Sequence, residues 1–314
     1  MRRTIVICFA VVGLAAALGR VAYVRGGKPP VTVTLLHTTD TRSALVPRKH
    51  GCDCKEGSVV MGGLSQRATL LRQLGAGRPG TLVLDSGGAA FDRRRSELVL
   101  QAMGMMGYRI IGVGRADLRL APGFFRAARQ AGLEAVCYPQ TPETKEWAPT
   151  HTIRELGGRK IAIVGLGATA GYRLPLADLT ALLRQLRRQC DAVVVLSQLG
   201  LQGDRDLLGR KGIGDTVDVL AGNASNATLK GAEQIRSAIL VPTSFEGQQV
   251  AVITMEFARR GRPRCQWSSQ GVVEDTPEDP QIEKQLAAHG VVATPFRRAT
   301  GQSPQTAPGA GPVP

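Results

Sequence analysis

Histidine is scarce in this sequence, with four among 314 residues. His37, His50, His151 and His289 are scattered, and none stands at a clear strand end. A nucleophilic triad needs a serine or cysteine beside a positioned histidine, so that class of hydrolysis is disfavoured. His37, inside an apolar stretch, reads as a core histidine. Aromatic residues make up only 4% and interleave with no basic block, which argues against nucleic-acid binding through base stacking. Acids are outnumbered, 25 Asp and Glu against 40 Lys and Arg, for a formal charge of +15. The functional reading of that excess is contact with an anionic polymer or membrane surface; charge spread over solvated faces is the simpler reading. Disorder of the whole chain is excluded, because 43% hydrophobic residues are enough to build a core.

The long uninterrupted apolar run lies at the N-terminus, from Ile5 to Gly19 after Met1-Arg2-Arg3. It is short for a spanning helix, which needs about 20 residues. Ala17-Leu18-Gly19 resembles a small-x-small cleavage signal. Residues 1–26 therefore read as a signal peptide or an N-terminal membrane anchor, and the expected location is periplasmic, extracellular or membrane-tethered. Cys8 has no small-residue lipobox before it. Five cysteines follow: Cys52, Cys54, Cys137, Cys190 and Cys265. Export permits disulfides, but an odd number leaves a thiol over. Cys137 and Cys190 sit in or beside apolar stretches and read as buried small hydrophobes. Cys52 and Cys54 are too close for an easy mutual disulfide, which leaves pairing with a distant cysteine, a metal or redox role, or a partner-binding loop.

From Val31 the chain alternates strands and helices. VTVTLLHTTDTR reads as a buried strand that ends in a polar loop carrying Asp40. Residues 43–61 read as a loop, followed by a helix from Gly62 to Gly75 and the strand TLVLD ending at Asp85. The strand RIIGV precedes Gly114-Arg115-Ala116-Asp117, and AVVVLS precedes Gln198. Gly157-Gly158 marks a hairpin, and VDVLAG ends at Asn223. Candidate strands near 237–241 and 250–257 suggest an antiparallel finish. KIAIVGLGATAG is not a dinucleotide loop, since Gly171 is out of step and Asp191 precedes the next strand. One α/β domain over 27–275 is expected, with a C-terminal helix and a Pro/Gly-rich tail over 276–314.

The strand ends taken together resemble the N-terminal metallophosphatase domain of the 5′-nucleotidases, in the calcineurin-like metallophosphoesterase superfamily. LLHTTDTR is similar to that family's opening LHTNDxH. LVLDSGG, GVGRAD, VVVLSQLG and VDVLAGNASN stand in order where the family has DAGD, GNHE, LSH and GHxH. CDCKEGSVVMGGLSQRATLL and GGRKIAIVGL look like exported bacterial members. The similarity spans about residues 31–272. It implies an α/β layered sandwich, two mixed β-sheets flanked by helices, and in the family a hydrolase of phosphate esters built on two metal ions.

The departures are as informative as the matches. Asp40 stands where the family keeps an aspartate, but Arg42 replaces a histidine and Gly88 the bridging aspartate. Arg115 and Ala116 stand for the Asn and His of GNHE, with Asp117 at its acidic end. Gln198 replaces the histidine of LSH, and Ala224 and Asn226 those of GHxH. Like charges at about 4 Å repel by about 4 kcal/mol at an effective dielectric of about 20, so Arg42 and Arg115 disfavour dications. The expectation is a non-catalytic pseudoenzyme with no cofactor. Its relic site either binds a small phosphate- or carboxylate-bearing anion through Arg42 and Arg115 or is filled by an internal Arg42–Asp40 pair. The alternative is a phosphoesterase holding Mn, Zn or Fe at a non-standard site of Asp40, Asp85 and Asp117. The family's C-terminal substrate-binding domain is expected to be missing.

Overall fold

The computed structural model describes residues 27–50, 59–167, 174–223 and 231–291. The N-terminal apolar run, Cys52, Cys54, Ala224, Asn226 and the tail over 301–314 lie outside the described residues. Two six-stranded sheets pack face to face. The first runs β14 (Arg264–Gly271), β13 (Gln249–Phe257), β1 (Val31–Thr38), β4 (Thr81–Asp85), β5 (Tyr108–Gly112) and β6 (Glu134–Val136). The second runs β11 (Glu233–Ile235), β12 (Ala238–Thr243), β10 (Val219–Asn223), β9 (Ala192–Ser197), β8 (Arg159–Leu166) and β7 (His151–Leu156). β1, β4, β5 and β6 pair in parallel, as do β8, β9, β10 and β12, so both sheets turn their parallel strand ends to one rim. Ligands of such sheets bind beyond those ends.

The pleat of β1 decides which side chains meet. Val33 and Leu35 point between the sheets with Leu84, Ile110, Ile163 and Val194, whereas Leu36 faces the helices outside. Those helices are α1 (Leu64–Gly75), α2 (Arg93–Met105), the short α3 (Arg115–Leu118), α4 (Gly123–Gln130), α5 (Pro142–Lys145), α6 (Leu176–Gln189), α7 (Leu201–Gly209) and α8 (Pro280–Ala288). Leu98, Val99, Phe124 and Phe125 from α2 and α4 pack on the first sheet; Leu179, Leu183 and Leu186 from α6 pack on the second. The layered sandwich expected from the sequence is the observed architecture. Among the described residues no helix is long and apolar enough to cross a membrane.

Two readings are corrected, and one strand went unread. The stretch 43–61 is not all loop, because Pro47–His50 (β2) and Val59–Gly62 (β3) pair as an antiparallel ribbon. Each is only four residues long, too short to show a period. The finish is antiparallel only in part: β12 pairs in parallel with β10, and β13 crosses to the other sheet beside β1. β14 was invisible because RCQWSSQG is a mostly polar edge strand. Gly165 also gains a reason. A Cβ there would meet the Val136 carbonyl oxygen at 2.2 Å, so the glycine admits the close approach of β6 to β8. Cys137 and Cys190 are buried and free, as expected, and Cys265 is free and half-buried.

His37 ties the two sheets together near the shared rim. It is fully buried, with Nε2 2.7 Å from Ser86 Oγ and Nδ1 2.8 Å from Thr243 Oγ1. Ser86 Oγ donates to the Ala221 carbonyl, so it accepts from Nε2–H, and Thr243 donates to Nδ1. Both nitrogens are satisfied in the neutral ring, and burial lowers its pKa to about 3. Between pH 6.5 and about 3 the unfolded chain takes a proton at this site that the folded chain refuses. Stability from His37 is therefore complete above that window and is lost as pH falls through it. The variant His37→Gln is expected to be less stable at neutral pH and to lose less stability on acidification than wild type. Denaturant unfolding across the window checks this, read as the difference between the two proteins.

Candidate functional site

Five strand ends converge on Asp40. β1 ends at Thr38, and the loop after it holds an unusual backbone: Asp40, Arg42 and Ser43 have φ of 49°, 52° and 56°. Left-handed backbone at three such side chains persists only when surroundings fix it. Here a ladder onto the loop after β4 does so, through Asp40 N to Gly87 O at 2.8 Å, Arg42 N to Gly88 O at 2.9 Å and Ser43 N to Ala89 O at 2.9 Å. The two loops form one unit.

Asp40 is 6% exposed, and neutral donors hold its carboxylate. Oδ2 accepts from Thr39 Oγ1 at 2.9 Å, Gln198 Nε2 at 3.2 Å and Asn223 Nδ2 at 3.0 Å. Oδ1 lies 3.5 Å from Arg42 Nε, a long contact, while the Arg42 guanidinium sits 4.8 Å above the Phe245 ring. Gly88 packs directly against the acid: a Cβ there would lie 2.6 Å from Asp40 Oδ1. The backbone as folded has no room for an aspartate at that position.

The other two carboxylates hold loops. Asp117 Oδ2 accepts from the Gly88 and Gly114 amides, both at 2.7 Å, and Oδ1 from the Ala90 amide at 2.8 Å. Asp85 accepts from Thr38 Oγ1 at 2.6 Å and the Gly87 amide at 2.8 Å. Burial pushes both up to about 7, against the pull of those hydrogen bonds. Behind Asp85 lies Arg67, fully buried, donating to Thr41 Oγ1 at 2.8 Å with its guanidinium 5.7 Å from the Tyr108 ring centre. Its charge favours ionised Asp85, less strongly than burial opposes it.

Asp40, Arg42, Gly88, Phe91, Arg115, Ala116, Arg119 and Gln198 line an open cleft of about 370 Å³. The structure thus brings together every described position singled out from the strand ends, with Asn223 beneath Asp40. Sequence reasoning missed Arg119, Phe91, Phe245 and Arg67. Arg119 had a signal, since it lies four residues after Arg115, the spacing of side chains that share a helical face. Phe245 and Arg67 had none, because they arrive from other parts of the chain.

The fold family implies a two-metal centre, and these residues do not fit one. Among the described residues no imidazole lines the cleft, Asp40 is engaged by amides, position 88 has no room for a ligand, and Asp85 and Asp117 are turned into backbone amides. Among the described residues no group of three or more His, Cys, Asp or Glu side chains is arranged to hold a metal ion.

No protein-family model matches the sequence, and the search of curated proteins found no match. Solved structures do match. A 5′-nucleotidase precursor from Thermus thermophilus superposes with a TM-score of 0.68 at 20% identity, covering 82% of this chain and 58% of that one. The sulfate thiohydrolase SoxB from the same genus gives 0.68 at 16% identity, covering 82% and 61%. A calcineurin-like phosphoesterase from Bacillus subtilis gives 0.65 at 14% identity, covering 83% and 97%. The chain therefore has the metallophosphatase fold, and it spans about three fifths of the first two structures' length.

The three amides on Asp117 are buried, so replacing the acid by an amide turns a donor toward at least one of them. Asp117→Asn is expected to lower stability by about 1–3 kcal/mol, seen as a reduced denaturant midpoint with unchanged slope.

Proposed function

We propose that this chain is an exported metallophosphatase-fold protein that does not hydrolyse phosphate esters and holds a small anion in the Asp40 cleft. One observation carries the reading. Arg42, Arg115 and Arg119 line a cleft whose acid is already satisfied by the side-chain donors of Thr39, Gln198 and Asn223. The Arg115 side chain is exposed and makes no hydrogen bond, ion pair or ring contact among the described residues. Planar guanidinium groups match the paired oxygens of phosphate or carboxylate. The amides of Gln198 and Asn223 blunt the repulsion between Asp40 and an incoming anion. Among the described residues nothing in the cleft is set to deprotonate a water, since Asp40 accepts three hydrogen bonds and His37, near the rim, is buried with both nitrogens engaged.

The internal-pair reading, in which Arg42 and Asp40 fill the space, is weaker. The pair is long, and open volume remains beside it. Export rests on residues 1–26, whose basic start and apolar run fit a signal or anchor.

Elemental analysis of the full chain purified without chelator, together with calorimetric titration of inorganic pyrophosphate, tests the reading. The expected result is less than one equivalent of manganese, zinc or iron, and pyrophosphate binding that weakens about tenfold in Arg115→Gln. One or two equivalents of metal that vanish in Asp40→Ala, with turnover of a chromogenic phosphate ester, would establish the phosphoesterase instead.

A further inference from the structure

The Asp40 cleft does not end at Arg119. A second cavity, also of about 370 Å³, is lined in part by Arg93, Glu97, Leu120, Phe124 and Arg126. The chain passes from one cavity to the other at two places: Arg119 lines the first and Leu120 the second, and Phe91 the first and Arg93 the second. At that junction the Arg119 guanidinium lies 5.8 Å from the centre of the Phe91 ring.

The charge along this path is one-sided. Arg93, Arg94 and Arg95 occupy the first turn of α2, where the helix dipole is positive and cations are disfavoured. Asp92 caps the helix, accepting from the Arg94 and Arg95 amides. Arg115 and Arg119 flank the turn on one side and Arg126 on the other. All six arginines are exposed. The side chains of Arg93, Arg94, Arg95, Arg115 and Arg126 have no hydrogen bond, ion pair or ring contact among the described residues. The nearby acids are Asp92, Glu97 and the buried Asp40 and Asp117, four against six arginines. Arginines gathered in excess over the acids around them oppose the folded state, and an anion bound along them would relieve that.

We propose that the two cavities form one groove for a linear polyanion that carries phosphates without bases, with one of its charged groups seated in the Asp40 cleft. This rests on the anion-binding reading of that cleft and extends it to a repeating ligand. A chain fits two adjoining concavities better than a flat anionic surface does. A nucleic acid would need open aromatic platforms, and Phe91, the one exposed aromatic lining these cavities among the described residues, has its face against Arg119.

The test compares fluorescently labelled long-chain inorganic polyphosphate with pyrophosphate on the full chain, in wild type and in Arg93→Gln/Arg94→Gln/Arg126→Gln. The expected result is tighter binding of polyphosphate than of pyrophosphate, weakened about tenfold or more in the triple variant while pyrophosphate affinity stays unchanged. The melting temperature should hold or rise, because the substitutions remove cations from a helix start. Pyrophosphate binding without any polyphosphate advantage, or a triple variant that binds polyphosphate like wild type, would overturn the groove and leave the cleft reading standing. Binding of neither probe would overturn both. Labelled oligo-dT bound as tightly as polyphosphate, with the same arginine dependence, would overturn the assignment to a base-free polymer.

Discussion

The contact between Asp40 and Gly88 governs the rim of this molecule. Two loops from adjacent parallel strands are laced together by backbone hydrogen bonds, and the lacing is possible only because one of them offers a glycine where the other offers a carboxylate. The left-handed residues of the first loop, the amides of Gln198 and Asn223 drawn in from the second sheet, and the Asp117 carboxylate under the second loop all follow from that closeness. A buried acid needs satisfied lone pairs, and here neutral side chains and backbone supply them. The result is a rigid floor with its charge internally answered, and a wall of arginine above it.

That division explains why the arginines face outward. Arg42 leans on Phe245, with a long contact to Asp40, and Arg119 leans on Phe91, so a ring helps to position each. A guanidinium held over an aromatic face keeps donor edges free for a ligand, whereas a bidentate salt bridge would occupy them. Elsewhere in the chain arginines do pair: Arg187 and Arg262 converge on Asp218, with contacts of 2.5 and 2.7 Å. The contrast separates cations that support the fold from those left available at the rim.

The sequence made the architecture legible because its parallel strands are apolar, bounded and regularly spaced. AVVVLS is buried at every position and reads as a central strand without further information. What stayed hidden was polar or brief. β14 shows little pattern because its strand is an edge, and β2 and β3 were masked by shortness. The rim positions were legible as well, since each follows a strand end. Their relations were not. That Asn223 would reach Asp40 across 183 positions of chain, or that Arg67 would lie buried behind the loop against Tyr108, depends on tertiary placement that no local pattern encodes.

The missing side chain at position 88 has a consequence for anyone wishing to build hydrolytic chemistry into this scaffold. Installing an acid there is not a point substitution with a local effect. Its first carbon would collide with Asp40, the displaced carboxylate would abandon Gln198 and Asn223, and the ladder binding the two loops would have to open. Any route toward a two-metal centre must therefore begin by reshaping the backbone of both loops together, and only afterwards by choosing ligands.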